Sequence, residues 1–566
     1  MHRQFWYSPP EVEAGSSIIG EQVAAPSGRR LARTATVAFA ILVVLCALVT
    51  ANTRAATTST IVFGAEQEPP CLNGLLAGCN NTWTSWTVGI AFAGAYRVMP
   101  DFSFQPQILD GEARIVSRKP FTLLYKIKKQ AVWSDGRPIT ADDFIFTAQT
   151  ILNPKNDVAG RSGYDQMRRL VKVDSKTLRI VFKTPYAGYK LLFYGSFGVL
   201  PKHALQGRDF NTVWNTTVNS PVTGQPIGSG PYLMTSYVRG QSMTMTRNPR
   251  WWGKRPAVDR IVFRFITNTD SEIQAMRGGE VDAIYPQPQL QLASLRNQPG
   301  MQIQSSSGAT SEHIDINTGP KGMALARAPW FRQALGHAID RNTLVRQLFR
   351  TLNPNLKPLE NLTYVNNQKE YASNFGRYTF SKARVDSIMR AHNCSKGGDG
   401  IYVCGGVRAS IKIGTTAGNK LRELALEIIQ AQAKSVGIEM IADSSPSRLF
   451  FPAVAAENYH LAIFAWVGTG DPSGQVDIYG CGGQSNWKAY CSKKVTDLLR
   501  ASDAELDPTK RRSLVNQADR IMALNLPTIP LYQKPTYFVY KSKLKGLKDN
   551  PTSAGPTWNV EDWRIG

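Results

Sequence analysis

The 566-residue chain is poor in the residues that do catalysis or hold metals. It contains six histidines, none at ligand spacing from another, and no Cys-X-X-Cys. That argues against zinc, which needs clustered nitrogen and sulfur donors. No HExxH, GxxxxGK(S/T) or GxSxG occurs, so metalloprotease, P-loop and nucleophile-elbow chemistry lack their motifs. Gly228-Ser229-Gly230 is not followed by a dinucleotide fingerprint. Acidic residues are scarce: 42 Asp and Glu face 66 Lys and Arg, a formal charge of +24. Yet the basic residues are scattered, with no long basic run and no nucleic-acid motif, which argues against a nucleic-acid partner. A basic soluble surface near an anionic envelope accounts for the charge. Internal repeats and low-complexity tracts are also absent.

What is present describes an exported globular protein. Hydrophobic residues make up 42% and charged residues 19%, a folded composition. The length is too great for one core and implies two or three compact units. Val37 to Val49 is an unbroken apolar run behind Arg29, Arg30 and Arg33. It is short for a spanning helix and suits a signal-peptide core. A cut near Ala55 fits the small residues Thr53 and Ala55, at the third and first positions before it. The long polar leader keeps the alternative of an uncleaved anchor through residues 35–51 open. Cys46 follows Leu45, a poor fit to lipidation. The other six cysteines fall in close pairs: Cys71 with Cys79, Cys394 with Cys404, Cys481 with Cys491. Local pairing is the simplest of fifteen connectivities, and an oxidising compartment suits it.

Periodicity outlines the elements. Residues 60–64 start a strand, and Glu66 to Asn73 is a loop. FTLLYKI at 121–127 is a strand. Thr140 to Asp143 is a capping box opening a helix that carries Phe144, Phe146 and Ile151; Trp133 reads as core. In 227–285, Gly228, Gly230 and Pro231 form a turn. Met243 and Met245 alternate with Thr244 and Thr246 as on a half-buried strand. Asn248-Pro249 and Trp251-Trp252-Gly253 break the chain before a strand facing Ile261, Phe263 and Phe265 inward. SEHIDINT at 311–318 reads as a crossing strand. Phe331 to Phe349 reads as one amphipathic helix, with Asp340-Arg341 a structural charge pair. Residues 410–441 form a βαβ unit whose helix presents Leu421, Leu424, Ile428 and Ile429. Leu461 to Trp466 is a buried strand. Pro508 opens a helix behind an Asp507 cap, and residues 526–540 return.

The segment IGSGPY, then RNPRWWGKRPAVDRIVFRFI, then GEVDAI resembles the peptide/nickel family (family 5) of extracytoplasmic solute-binding proteins, which are similar to oligopeptide- and dipeptide-binding proteins. WSDGRPITADDF at 133–144 and FRQALGHAIDR at 331–341 match the same family. The resemblance spans about 60–545. It implies an α/β, two-lobed periplasmic-binding-protein-like fold with an inter-lobe cleft and an extra inserted subdomain in the first lobe. The expected division is a leader at 1–56, a first lobe at 57–310 with the insert at about 90–215, a second lobe at 311–520, and a return to the first lobe at 521–566. The implied function is capture of a small extracellular ligand, most readily an oligopeptide, and delivery to ABC permease subunits in the membrane. The protein would be extracytoplasmic, in the cell envelope and monomeric, with no cofactor, no metal and no catalysis. The alternatives are a sugar, opine or metal-chelate ligand, or an extracellular enzyme or structural envelope protein on this scaffold.

The site expectations follow from that resemblance. Peptide-binding relatives carry a Trp and, three residues later, an Asp that holds the ligand's ammonium. A fixed anion there replaces the water the ammonium loses. Here Trp466 is followed by Gly468, Thr469 and only then Asp471, which either reaches an amine or caps the turn at Pro472. The loop EQEPPCLN at 66–73 matches the family's ExPxxLN region with Cys71 inserted, making Leu72 and Asn73 ligand candidates. Thr415 and Thr416, between a strand and a helix, read as a helix cap or as ligand contacts; the same Gly414 to Gly418 loop is the nearest imitation of a nucleophile elbow.

Overall fold

The computed structural model describes residues 58–566 apart from Ser196 and Asn297. The leader readings, signal core or anchor in 1–56 and lipidation at Cys46, lie outside the described residues.

One ten-stranded mixed sheet organises the chain. Its strands are β1 (Thr60–Ala65), β2 (Tyr232–Val238), β3 (Ser242–Arg247), β4 (Arg260–Phe265), β5 (Ala283–Ile284), β6 (Met301–Ile316), β7 (Ser410–Gly414), β8 (Glu439–Ala442), β9 (Leu461–Val467) and β10 (Thr528–Lys541). Their spatial order is β8-β7-β9-β6-β10-β5-β1-β4-β3-β2. At one end β1 runs parallel to β4 and β5, and β4, β3 and β2 follow as antiparallel neighbours. At the other end β7 runs parallel to β8 and β9. In the centre β6 and β10 pair antiparallel over almost their whole length.

The apolar pattern explains two separate cores. Met243, Met245, Ile261 and Phe263 on β3 and β4 are fully buried in one core, with Phe63 of β1. The chain's last segment joins it: Trp563 stacks on Phe63 at 6.1 Å with rings 13° apart. A four-stranded antiparallel sheet, Arg114–Arg118, Phe121–Lys126, Thr177–Phe182 and Met167–Asp174 in that spatial order, packs on the same core. Its helix Ala141–Leu152 starts at a capping box in which Asp143 Oδ2 accepts from Thr140 N at 2.8 Å. The second core collects Ile411 and Ile413 of β7, Ile463 of β9, and Ile529 and Leu531 of β10. We call the parts built on these cores the first and second lobes.

Three readings need correction. The crossing strand β6 begins at Met301, well before residue 311, because Met301–Ser307 extends the pairing with β10. The single helix read over 331–349 is two, Pro329–Ala338 and Arg341–Phe349. Asp340 causes the break: its side chain accepts from Thr343 N at 2.9 Å and caps the second helix. Arg341 does not serve Asp340 at all. It donates to the carbonyls of Leu359, Pro530, Phe375 and Tyr378, fastening a loop and β10 to the helix. On helix Lys420–Ser435 the core face is Leu421, Ala425, Ile429 and Ala433, while Leu424 is exposed. That i, i+4 row fits the 3.6-residue period better than the one read from the larger side chains.

All three local disulfides form, with Cα separations of 5.2, 4.2 and 4.4 Å. Each closes a short loop, so each restricts the unfolded chain modestly. Replacing Cys394 and Cys404 together by alanine should lower unfolding free energy by about 2–3 kcal/mol on loop-closure entropy. Denaturant titration of the double variant measures this; no loss would show that the bridge does not constrain the unfolded chain.

Candidate functional site

The two lobes share β6 and β10, and those strands lose register at two places, between Ser307 and Ser311 and between Glu312 and His313, the first being the larger. Ser307 faces Pro535, and the next paired residues are Ser311 and Gln533, so β6 bulges outward between them. Pro535 has no N–H to offer the ladder there. Gln533 Nε2 takes the Gly308 carbonyl at 2.6 Å instead. A Cβ on Gly308 would meet the Pro551 carbonyl oxygen at 2.3 Å, so a glycine lets the C-terminal segment approach the bulge.

A cavity of about 50 Å³ opens beside this bulge. Glu66, Trp83, Trp86 and Gln287 wall it from the first lobe, Arg422, Phe451, Ala465 and Val467 from the second, and Thr310 and Lys534 from the crossing strands. A larger cavity of about 340 Å³ lies among Leu75, Phe92, Tyr194 and Trp558. It has no second-lobe wall, so lobe closure does not gate it, and the smaller inter-lobe cavity is the better candidate.

Charge concentrates at the inter-lobe cavity. Arg422 grips Glu312 through Nε at 2.6 Å and Nη2 at 3.3 Å, and its Nη1 donates to Thr416 Oγ1 at 3.1 Å. Burial opposes ionisation of Glu312, yet Arg422 and Lys534 together hold its carboxyl below the usual range. Glu66 accepts from Gln287 Nε2 at 2.5 and 2.7 Å and from Trp83 Nε1 at 3.3 Å. Gln287 Oε1 in turn accepts from Lys534 Nζ at 2.9 Å. Burial pulls the Lys534 ammonium below its ordinary value, with Glu312 offsetting only part of the effect.

The residues singled out in the sequence go elsewhere. Trp466 turns away: on β9 its neighbours Ala465 and Val467 line the cavity, and strand alternation sends Trp466 to the opposite face. There it stacks on His313 at 6.4 Å and meets Trp487 at 5.2 Å. Gly468 ties lobes together, donating to Ala309 O at 2.8 Å and accepting from Ser553 N at 3.0 Å. Thr469 Oγ1 accepts from Asp471 N at 3.3 Å. Asp471 is taken on both oxygens by Arg511, at 2.7 and 3.3 Å, and also receives Ser473 N at 2.8 Å. That is a turn cap with a fixed counter-ion, leaving no bare anion for an amine.

Leu72 is fully buried in the first core. Asn73 is buried too, its amide donating to the carbonyls of Phe210 at 3.3 Å and Val213 at 3.4 Å. Thr415 spends its hydroxyl on Ile463 O at 2.9 Å. Asn419, not either threonine, caps the helix by accepting from Arg422 N at 3.1 Å. Thr416 belongs to the Arg422 cluster. Sequence reasoning missed Gln287, Glu312, Arg422 and Lys534, and passed over Glu66 within its loop. One signal was available: Lys534 is the single charge among residues 526–540, beside Pro535.

The lobes also meet away from the cavity. Asp477 Oδ2 accepts from Ser162 N at 2.9 Å, and Asp503 Oδ2 from Ser162 Oγ at 3.3 Å. Ala187 N donates to Asp503 O at 2.7 Å. Burial pushes the Asp477 carboxyl up to about 6, with the Ser162 and Arg161 amides opposing and Asp165 adding to it. Burial pushes Asp503 up to about 7, with Arg511 opposing and Asp471 adding to it. Tyr186 completes this contact. Among the described residues, no group of three or more His, Cys, Asp or Glu is placed to hold a metal, and no helix is long and apolar enough to cross a membrane.

A hinged, two-lobed body with a polar cavity between separate cores defines a solute-binding protein. The sequence comparisons give the family. Residues 106–487 match the model of bacterial extracellular solute-binding proteins, family 5, and the chain belongs to that family. The oligopeptide-binding protein OppA of Mycobacterium bovis is 26% identical over 484 residues, covering 84% of this chain and 80% of that protein. The solved structure of AppA from Bacillus subtilis, an oligopeptide-binding protein in complex with a nonapeptide, superimposes with a TM-score of 0.80 at 19% identity, covering 90% of this chain and 99% of that one. NikZ from Campylobacter jejuni, in complex with Ni(L-His), gives 0.78 at 20% identity, covering 89% and 99%.

If the lobes part at this contact, Asp477 and Asp503 return to water, toward the ordinary value of 3.8. The closed form has the raised values and so binds more protons. Closure is therefore most favoured at about pH 4 and below, weakens as pH rises, and is least favoured above about pH 7. Energy transfer between dyes on the two lobes should report more closed, ligand-free protein at pH 5 than at pH 8, by up to about a thousandfold in the equilibrium where opening restores both carboxyls fully to water. Asp503→Asn should flatten that dependence; an unchanged slope would remove this contact from the account.

Proposed function

We propose that the chain is the solute-binding component of an ABC importer that captures an oligopeptide in the inter-lobe cavity. The observation that carries this reading is the cavity itself: its walls come from two lobes with separate cores, and the strands between those lobes bulge beside it. A ligand bridging both walls stabilises the closed form over the open one. Relatives that are oligopeptide-binding proteins favour a peptide. The closed form then docks on permease subunits, and a partner ATPase supplies the energy. The ligand meets Ala465, Val467, Gln67 and the polar cluster rather than Leu72 or Asn73. We read the chain as a binder and not as an enzyme because its family and relatives are binding proteins. The first lobe takes residues 57–310 and the tail from Lys534, and the second takes 311–533, since Met522, Leu526, Ile529 and Leu531 pack in the second core; residues 35–51 lead the protein out of the cytoplasm as a signal or an anchor.

One observation favours a second reading, a non-peptide solute. Arg511 already neutralises Asp471, the carboxylate best placed by sequence to take a peptide's ammonium. The fold also accommodates a metal–amino-acid complex in a structural neighbour.

Thermal-shift and calorimetric screens of the mature protein against pools of short peptides separate the two. A peptide at 100 times its Kd should raise unfolding free energy by about 2.7 kcal/mol. Stabilisation by a sugar, opine or metal chelate with none from any peptide would leave the importer role and replace the cargo. Native mass spectrometry of the protein as purified would report a retained ligand directly.

A further inference from the structure

The inter-lobe cavity contains two opposite charges that do not touch each other. Lys534 Nζ finds only a neutral partner, Gln287 Oε1, at 2.9 Å. Among the described residues no carboxylate oxygen lies within 4.0 Å of it. Glu66 is in the mirror situation. Its donors are the Gln287 amide and the Trp83 indole, and among the described residues no cation lies within 4.0 Å. Gln287 therefore spans the two, its carbonyl turned to the ammonium and its NH₂ to the carboxylate. That orientation is the one the flanking charges dictate. The neighbouring pair behaves differently: Arg422 and Glu312 close on each other and need nothing further.

All three groups of the relay line the cavity. Lys534 keeps part of its surface on the void and stands next to Pro535 at the bulge. An ammonium and a carboxylate held apart in a closing site each lose water without gaining a counter-ion. A ligand with only a negative group would satisfy Lys534 and leave Glu66 uncompensated. One with only a positive group would do the reverse. A neutral ligand would help neither.

The geometry points to a zwitterionic ligand, whose free carboxylate pairs with Lys534 and whose free ammonium pairs with Glu66 across the Gln287 amide. The inference rests on the reading of this cavity as the ligand site and deepens it by naming the chemical class. The two ligand charges must lie about as far apart as the ends of one side-chain amide allow, as at an amino-acid end or in a short peptide. The assignment also replaces Asp471, whose charge Arg511 already meets.

The test uses the mature protein and matched ligands in four forms: free, N-acetylated, C-amidated and doubly capped. The set contains di- to pentapeptides and amino-acid conjugates that are not peptides. The wild-type protein should bind free forms and lose at least tenfold in affinity with either cap. Lys534→Met should bind free and C-amidated forms alike while still rejecting the N-acetyl group. Glu66→Gln should show the reverse. Equal affinity of wild type for free and capped forms overturns the inference and leaves peptide transport standing, and no variant is needed to see it. Binding confined to non-peptide zwitterions, with the same cap penalties, upholds the inference and removes the peptide cargo. Binding of none of the free forms overturns both.

Discussion

Everything functional here depends on the antiparallel pairing of β6 with β10 and on the wide bulge that interrupts it beside the cavity. Of the two, β10 serves both cores, with Phe538 and Tyr540 in the first and Ile529 and Leu531 in the second, while β6 puts Ile314 and Ile316 into the second. On the first-lobe side Met301–Ser307 is matched to Pro535–Lys541, and on the second-lobe side Ser311–Asp315 is matched to Thr528–Gln533. Between them β6 bulges, and a proline on β10 withholds a donor. A continuous ladder would weld the lobes into one body. A complete break would leave them unregistered. The bulge keeps the sheet whole while placing its weakest point beside the cavity, where bending does the most work.

The charges around that point are arranged with the same economy. Glu312 and Arg422 form a buried, mutually satisfied pair that fixes the helix Lys420–Ser435 to β6. Burying such a pair is costly, and breaking it by removing one partner is worse, so it specifies geometry more than it adds stability. Glu66, Gln287 and Lys534 form an open chain beside it, with a neutral amide in the middle. Outside the cavity, Asp471 and Arg511 pair within the second lobe, and Asp477 and Asp503 meet the first lobe through Ser162. The polar groups thus divide between those that hold the scaffold and those that remain to be answered from the cavity.

The fold was largely readable because its signals are local. Turn residues at Gly228 to Pro231, the Met243/Met245 alternation and the Thr140–Asp143 capping box each act within a few residues, and the structure has all of them. Where reading failed, a short-range preference was mistaken for its neighbour's. Asp340 was taken for half of an ion pair and is a helix cap, so one helix became two. Leu424 was chosen for its size, whereas the alanines at 425 and 433 sit on the buried row. The site was much less readable. Trp466 was selected by family pattern, but β9 parity aims Ala465 and Val467 into the cavity in its place. Asn73 was selected by family pattern and Thr415 by its place before a helix, yet internal carbonyls already use their hydrogen-bonding groups.

By itself the sequence determined the family, the separate strands and helices, and the three disulfides, because each follows from contacts between residues close in the chain or from a pattern carried in one short segment. Only the tertiary structure decided which polar groups are free to meet a ligand. Glu66, Gln287, Glu312, Arg422 and Lys534 are spread over more than 450 residues and come together only when β1, β6 and β10 take their places in one sheet. A charge's role depends on what stands opposite it, and that partner is set by the fold and not by sequence distance.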